Sequence, residues 1–267
     1  MTMLPADARA GVRAGAGWLV ADAFTITWRN LRAMTRMPQL VVFATIQPVI
    51  FVLMFRYVFG GAIRVPGVSY VDYLMPGIWA QTVAFGSMST GVGLAEDLHK
   101  GLIERFRSLP MARSAVLAGR TLADLVRNVF VVVLMCLVGF AVGFRVQTNV
   151  FGLLGALTLI VLFGYALAWI FAVIGFAAPN AEAAQAAMFP IIGPLVFASS
   201  SFVPVASMPG WLQAFAEHQP VSVTVDAVRA LVLGGPTLSK VLAALAWHVG
   251  LVAVFAPIAV ARYRRAS

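Results

Sequence analysis

Residues 150–177 read VFGLLGALTLIVLFGYALAWIFAVIGFA, an unbroken run without Asp, Glu, Lys or Arg. Nothing in it alternates polar with apolar, so it is not a half-buried strand. As an α-helix it climbs about 1.5 Å per residue, and about 20 such residues cross a hydrocarbon core of roughly 30 Å. A helix also satisfies its own backbone groups, which lipid cannot do. The rest of the chain has the same character. Of 267 residues, 61% are hydrophobic and only 11% charged, and the mean hydropathy is +0.92. Soluble domains carry about 25% charged residues. So few charges cannot cover a water-facing surface, which excludes a soluble enzyme and predicts an all-α integral membrane protein.

The other spans are found by measuring outward between charges. Uncharged runs occupy 37–55, 73–95 and 128–144, with 122–126 extending the third. The fourth run, 146–181, is too long for one span and too short for two, and Pro179-Asn180 ends the helix near 177. Pro190, Gly193, Pro194, Pro204 and Pro209 punctuate the next run, so one span over about 183–202 is expected, then a non-helical turn. Residues 241–261 give a sixth span. An even number puts both termini on one side. Arg9, Arg13, Arg29, Arg32, Arg36, Lys100, Arg105, Arg107, Arg113, Arg120, Arg127, Arg262, Arg264 and Arg265 fall on that side, against Arg56, Arg64, Arg145, Arg229 and Lys240 on the other. Short cytoplasmic loops carry the excess of Lys and Arg, so a multi-pass protein of the cytoplasmic membrane with cytoplasmic termini is expected. The same placement accounts for the net charge of +9 without nucleic acid as a partner. The first sixteen residues lack the apolar core of a cleavable signal peptide.

Three segments are not spans. In 14–37, Phe24, Trp28 and Leu31 recur at i, i+4, i+7, beside Arg29, Arg32 and Arg36. This predicts an amphipathic helix in the cytoplasmic interface, anchored among membrane lipids by Trp18 and Trp28; a plain orientation signal is the simpler alternative. In the long cytoplasmic loop, 96–121, Leu102, Phe106 and Leu109 again fall at i, i+4, i+7, and Lys100, Glu104 and Arg107 line another face up to Pro110. This apolar stripe faces either the headgroup layer or a soluble subunit, and periodicity leaves both open. The outer segment, 203–240, holds Pro204, Pro209, Trp211, Pro220, Asp226, Arg229 and Gly234-Gly235. It is expected to form two short helices packed at or dipping into the outer leaflet, with Asp226 and Arg229 as a stabilising surface pair at i, i+3. The domain division is therefore a cytoplasmic tail and interfacial helix over 1–37, a six-helix membrane domain over 38–262 and a short tail over 263–267.

Catalytic chemistry finds little to use. His99, His218 and His248 are scattered, and Cys136 is the sole cysteine, so no disulfide within the chain and no metal cluster is expected. His248 lies inside the sixth span, where a hydrogen bond to a neighbouring helix is the expected role. Glu182 suits a helix start. No phosphate-binding GxxxxGK[ST] loop and no HExxH or GxSxG motif occurs. GFAVG at 139–143 is a GxxxG pattern, a weak sign of a close helix contact. Energy for a pump would have to come from a partner.

Four segments in order resemble one family: YVDYLMPGI at 70–78, EDLHKGLIERFRSLPMARSAVLAGRTLADLVR at 96–127, FVP through MPGWL to QP at 202–220, and Asp226, Ala227, Arg229 and Gly234-Gly235 beyond it. Together they resemble the membrane subunits of type-2 ABC transporters, especially the daunorubicin-resistance exporter branch. The resemblance implies six transmembrane helices, an N-terminal interfacial helix and re-entrant outer helices. It also implies a coupling helix over 100–110 docked on an ABC ATPase subunit. Lys100, Leu102, Glu104, Arg105, Phe106, Arg107 and Leu109 would form that helix, with Phe106 as its anchor. Pro209, Trp211, Pro220, Asp226 and Arg229 would mark the re-entrant region. A second permease subunit, identical or homologous, would complete the path. ATP and Mg would sit on the ATPase, with no cofactor on this chain.

The function so implied is the permease subunit of an ATP-driven exporter for a drug-like or lipidic amphipath. A lipid-linked glycan or polymer is the alternative cargo. The aliphatic spans, with Phe43, Phe51, Trp79 and Phe85 as their aromatic residues, favour the smaller cargo. An integral-membrane lipid enzyme would need Gln47, Glu182 and His248 to meet at one depth.

Overall fold

The computed structural model describes residues 38–63, 65–100 and 113–266, with side chains over 46–63, 65–100 and 124–263. The interfacial helix expected in 14–37 and all of the expected coupling helix beyond Lys100 lie outside these residues. The described residues are helical, with no strand among them.

The first helix, α1 (Pro38–Met54), passes without a break into a π-helical turn, Phe55–Phe59, which carries Arg56. Phe51, Phe55 and Phe59 stack along one side, and Phe55 also stacks on Phe202 at 4.8 Å. Helix α2 (Tyr70–His99) starts at Ser69, whose hydroxyl oxygen accepts from the Asp72 amide and whose proton goes to the Asp72 carboxylate. It is the central helix of the bundle, buried over nearly its whole circumference from Tyr70 to Ala84.

Helix α3 (Arg113–Ala141) closes in a Schellman motif: the Phe144 amide donates to Gly139 O and the Gly143 amide to Phe140 O, with Gly143 at φ +103. Helix α4 (Val150–Ala177) has the bounds expected from the sequence. Asn149 caps it by accepting from the Gly152 amide at 2.8 Å, and Asn180 caps α5 (Ala181–Phe197) by accepting from Ala183 at 2.8 Å. Glu182 lies in the first turn of α5. A turn at 199–201 and a short 3₁₀ segment, Val205–Ser207, lead to α6 (Gly210–His218) and α7 (Pro220–Leu233). Pro220 opens α7 at the position where a missing N–H costs nothing. Gly234 and Gly235, at φ +95 and +117, turn the chain into α8 (Thr237–Ala266).

Three of these helices are long and apolar enough to cross a membrane: the Asp124–Ala141 part of α3, α4, and the Thr237–Tyr263 part of α8. Ile46–Phe59 and α5 are shorter apolar helices. Helix α2 is long but more polar, and it is enclosed by the others, with its most extensive contact against α4. At that crossing a Cβ on Gly91 would fall 2.3 Å from Phe171 O, and one on Gly175 would fall 2.3 Å from Gly91 O. The two backbones touch, which only glycine allows.

Three expectations need correcting. The third helix starts at Arg113, before the start near 122 expected for the extended third span, so the predicted loop 96–121 is helical at both ends. Its apolar stretch, Asp124–Ala141, lies within the expected span, and Asp124 and Arg127 pair with each other and face α2 (below), so neither marks the exit from the bundle. The fifth helix ends at Phe197 rather than near 202, because the 199–201 turn is held by side chains. In the GxxxG pattern only Gly139 serves helix contact, against Met75 of α2, while Gly143 is the helix stop.

Candidate functional site

Two groups of polar side chains lie inside this apolar bundle. The first surrounds a cavity of about 260 Å³ between α1, α2 and α3. Its polar lining comes from Gln47 of α1, from Gln81, Thr82 and Ser89 of α2, and from Arg127 and Asn128 of α3; Pro48, Phe85 and Val131 supply apolar walls. The α3 residues are held from behind. Arg127 lies 3.4 Å from the Asp124 carboxylate, and both side chains are largely buried. Asp124 accepts from Thr90 at 2.5 Å and from Ser89 at 3.3 Å. Arg127 donates to Gly86 O at 2.6 Å. Gly86 has no side chain to block that approach, and a Cβ there would already press on Asn128. Gln81 differs from these. It is 5% exposed, and its amide oxygen has no hydrogen-bond partner in the protein.

The second group clamps the start of α2 to α7. Arg229 donates to Asp226 Oδ1 at 2.7 Å, to Ser200 O at 2.7 Å and, through two nitrogens, to Tyr73 O at 3.1 Å. Its guanidinium also lies over the Tyr73 ring, 3.7 Å from the centroid. Tyr73 and Tyr70 donate their hydroxyl protons to Ser200 O and Phe202 O. Ser200 donates to Asp226 at 2.8 Å. Ser222 accepts from the Ser200 amide, and Gln219 bridges Ser222 and Leu195 O. Gly77 admits the turn, since a Cβ there would fall 2.1 Å from Ser201 O. Nearby, Asp72 accepts from the Arg145 amide at 2.8 Å. Burial works against the charge on Arg229 and lowers its pKa, and Asp226 opposes that shift.

Asp226 and Arg229 do pair as predicted, but not as a surface ornament. The Arg229 side chain is only 12% exposed, and it ties three chain segments together. Pro209 precedes α6, Trp211 is an exposed residue of its first turn, and Pro220 opens α7. Of the predicted coupling residues only Lys100 is described. It closes α2, pairs with Glu96 at 2.6 Å on the surface, and that hydrogen bond raises its pKa. Leu102, Glu104, Arg105, Phe106, Arg107 and Leu109 lie outside the described residues.

The three residues a lipid enzyme would need do not meet. Gln47 lines the cavity, Glu182 is exposed at the start of α5, and His248 is buried against α7. Thr224 gives its proton to Pro220 O, so His248 Nε2–H must donate to the Thr224 oxygen, 2.9 Å away. Among the described residues no three His, Cys, Asp or Glu side chains come together as metal ligands. Sequence reasoning missed Asp124, Asn128 and Gln81. The available signal was a polar set at i, i+3, i+4 (Asp124, Arg127, Asn128) on a helix that is otherwise apolar.

The ABC-2 type transporter model matches residues 22–233 of this chain. The chain belongs to that family. It is 36% identical over 255 residues, 96% of its own length and 90% of the relative's, to the daunorubicin resistance ABC transporter permease protein DrrB1 of Streptomyces coeruleorubidus. It is 30% identical over 259 residues, 96% of its length and 93% of the relative's, to the "Probable doxorubicin resistance ABC transporter permease protein DrrC" of Mycobacterium tuberculosis. An ABC-2 permease is a membrane transport subunit.

Proposed function

We propose that this ABC-2 permease exports a drug-like or lipidic amphipath across the cytoplasmic membrane. In this reading it spans the membrane six times with both termini in the cytoplasm. It works with a second permease subunit and with ABC ATPase subunits that hold ATP and Mg. The observation that carries the reading is its likeness, over 96% of its length, to permeases named for daunorubicin and doxorubicin resistance. The absence of a phosphate loop from the sequence supports an ATPase on another chain. The amphipathic stripe Leu102, Phe106 and Leu109 supports a docking helix in the loop that joins α2 to α3, with Glu104 and Arg107 orienting it and Arg105 part of it. The short α6 and α7, with Pro209 and Pro220 at their starts, support a re-entrant outer region.

The test is drug efflux in a sensitive bacterial host that expresses the permease with its ATPase. Phe106→Asp is expected to abolish efflux while the protein reaches the membrane in normal amount. Efflux equal to that of the native protein would refute the docking role. Copurification of the native chain without any ATPase, under conditions that hold a control ABC complex together, would refute the partnership itself.

A further inference from the structure

We propose that the cavity between α1, α2 and α3 binds the polar end of an amphipathic molecule that presents a hydroxyl or amine donor beside a carbonyl- or phosphoryl-type acceptor. The inference rests on the membrane permease reading but not on export.

The walls specify both halves of that chemistry. Arg127 is donor-only, and its pairing with Asp124 at 3.4 Å leaves N–H groups available to an acceptor. Gln81 Oε1 is an acceptor that no protein group satisfies, on a side chain 95% buried. A buried polar atom of this kind is rare in folded proteins and needs a reason. Both side chains line one space of about 260 Å³, several times the roughly 30 Å³ share of a liquid water. That space is somewhat smaller than the cavities that enclose a whole drug-sized ligand, which start at about 300 Å³. It therefore takes the head of a ligand and not its entire body. The body has somewhere to go. Gln47, at the α1 wall, is exposed beside exposed Ile46 and Ile50, so the mouth opens on an apolar outer face. Phe85 and Val131 give the buried part of the ligand apolar contact.

Two sources present this chemistry: a planar hydroxylated drug and a lipid headgroup. The test uses the purified chain in phosphatidylcholine nanodiscs. Ser89→Cys places a small thiol on the cavity wall, and the native Cys136 is 5% exposed, so N-ethylmaleimide reads the cavity above a low background. Daunorubicin is expected to slow labelling of the Ser89→Cys thiol. Adding Gln81→Leu is expected to raise the drug concentration for half-protection about tenfold, the effect of leaving one ligand donor unpaired. It should not lower the thermal midpoint, because it replaces a polar atom that has no partner. Protection by phosphatidylglycerol nanodiscs alone, and not by daunorubicin, would support the site and assign it to a lipid headgroup. Protection by neither, or half-protection unchanged by Gln81→Leu, overturns the proposal. If Ser89→Cys fails to fold, quenching of daunorubicin fluorescence by the native and Gln81→Leu proteins gives the same comparison. Efflux lost in cells with protection intact would count against export and leave the site standing.

Discussion

Arg229 provides the sharpest test of what holds the bundle together. Its guanidinium reaches a carboxylate, two carbonyl groups on separate segments and an aromatic face at once. Hydrogen bonds to charged groups contribute about 1.5–3 kcal/mol each, and removing one partner of a buried pair costs about 3–5 kcal/mol. Asp226 is 39% exposed, so its share is screened and the low end applies. Arg229→Ala is therefore expected to destabilise by about 3 kcal/mol. Arg229→Lys keeps a charge for Asp226 but cannot fork across Tyr73 O and Ser200 O, and about half the loss should remain. At about 2–4 °C per kcal/mol, the midpoint should fall by roughly 10 °C for alanine and roughly 5 °C for lysine. The assay is built into the sequence, because the single cysteine, Cys136, is buried, and a thiol-reactive dye reports its exposure on heating. A midpoint for Arg229→Lys within about 2 °C of native would refute the clamp and return Arg229 to the role of a surface charge.

Other substitutions probe the helix contacts. Gly91→Ala should destabilise by about 1–3 kcal/mol as the α2–α4 crossing is forced apart, whereas Gly250→Ala, with nothing within 4 Å, should be neutral or slightly stabilising in the same dye assay. Asp124→Leu and Arg127→Leu should each be costly singly, and the double variant should cost clearly less than their sum. Additive losses in that cycle would show that the two charges do not support one another.

The sequence was most legible where helices are set by uncharged runs and stopped by local chemistry. Helix α4 was placed at its observed bounds from the uncharged run and the Pro179-Asn180 stop, and the Asn149 cap supplies the local chemistry that fixes its start. Helices α1, α2, α5 and α8 were placed, with ends that differ by several residues. The failures share a cause. A hydropathy count treats each charge as a solvent marker, yet Asp124 and Arg127 neutralise each other inside the bundle, and Arg229 is buried by groups far away in the chain. Pairing partners such as Tyr73 and Ser200, 127 residues apart, leave no periodic trace. The cavity was illegible for the same reason, since three helices contribute its walls.

Helix α2 shows why Gln81 stands apart from the other polar groups. An apolar helix could have filled the bundle centre, yet α2 carries a row of polar side chains, and nearly all of them are matched. Thr82 donates to Ile78 O, Thr90 to Asp124, and Tyr70 and Tyr73 to the 199–202 segment, while the single Ser87 hydroxyl proton is shared between Val83 O and Gly164 O. Each of these fixes α2 to itself or to a neighbour. Trp79 also lacks a hydrogen bond for its indole N–H, but it is wholly enclosed, edge-on to Phe144, and does not line the α1–α2–α3 cavity. Gln81 is the one residue on α2 with such an atom that also lines this cavity. Packing alone would favour leucine at that position, because an unpaired buried amide costs about 1–3 kcal/mol. A residue that costs stability where an apolar one would fit is best accounted for by something it binds.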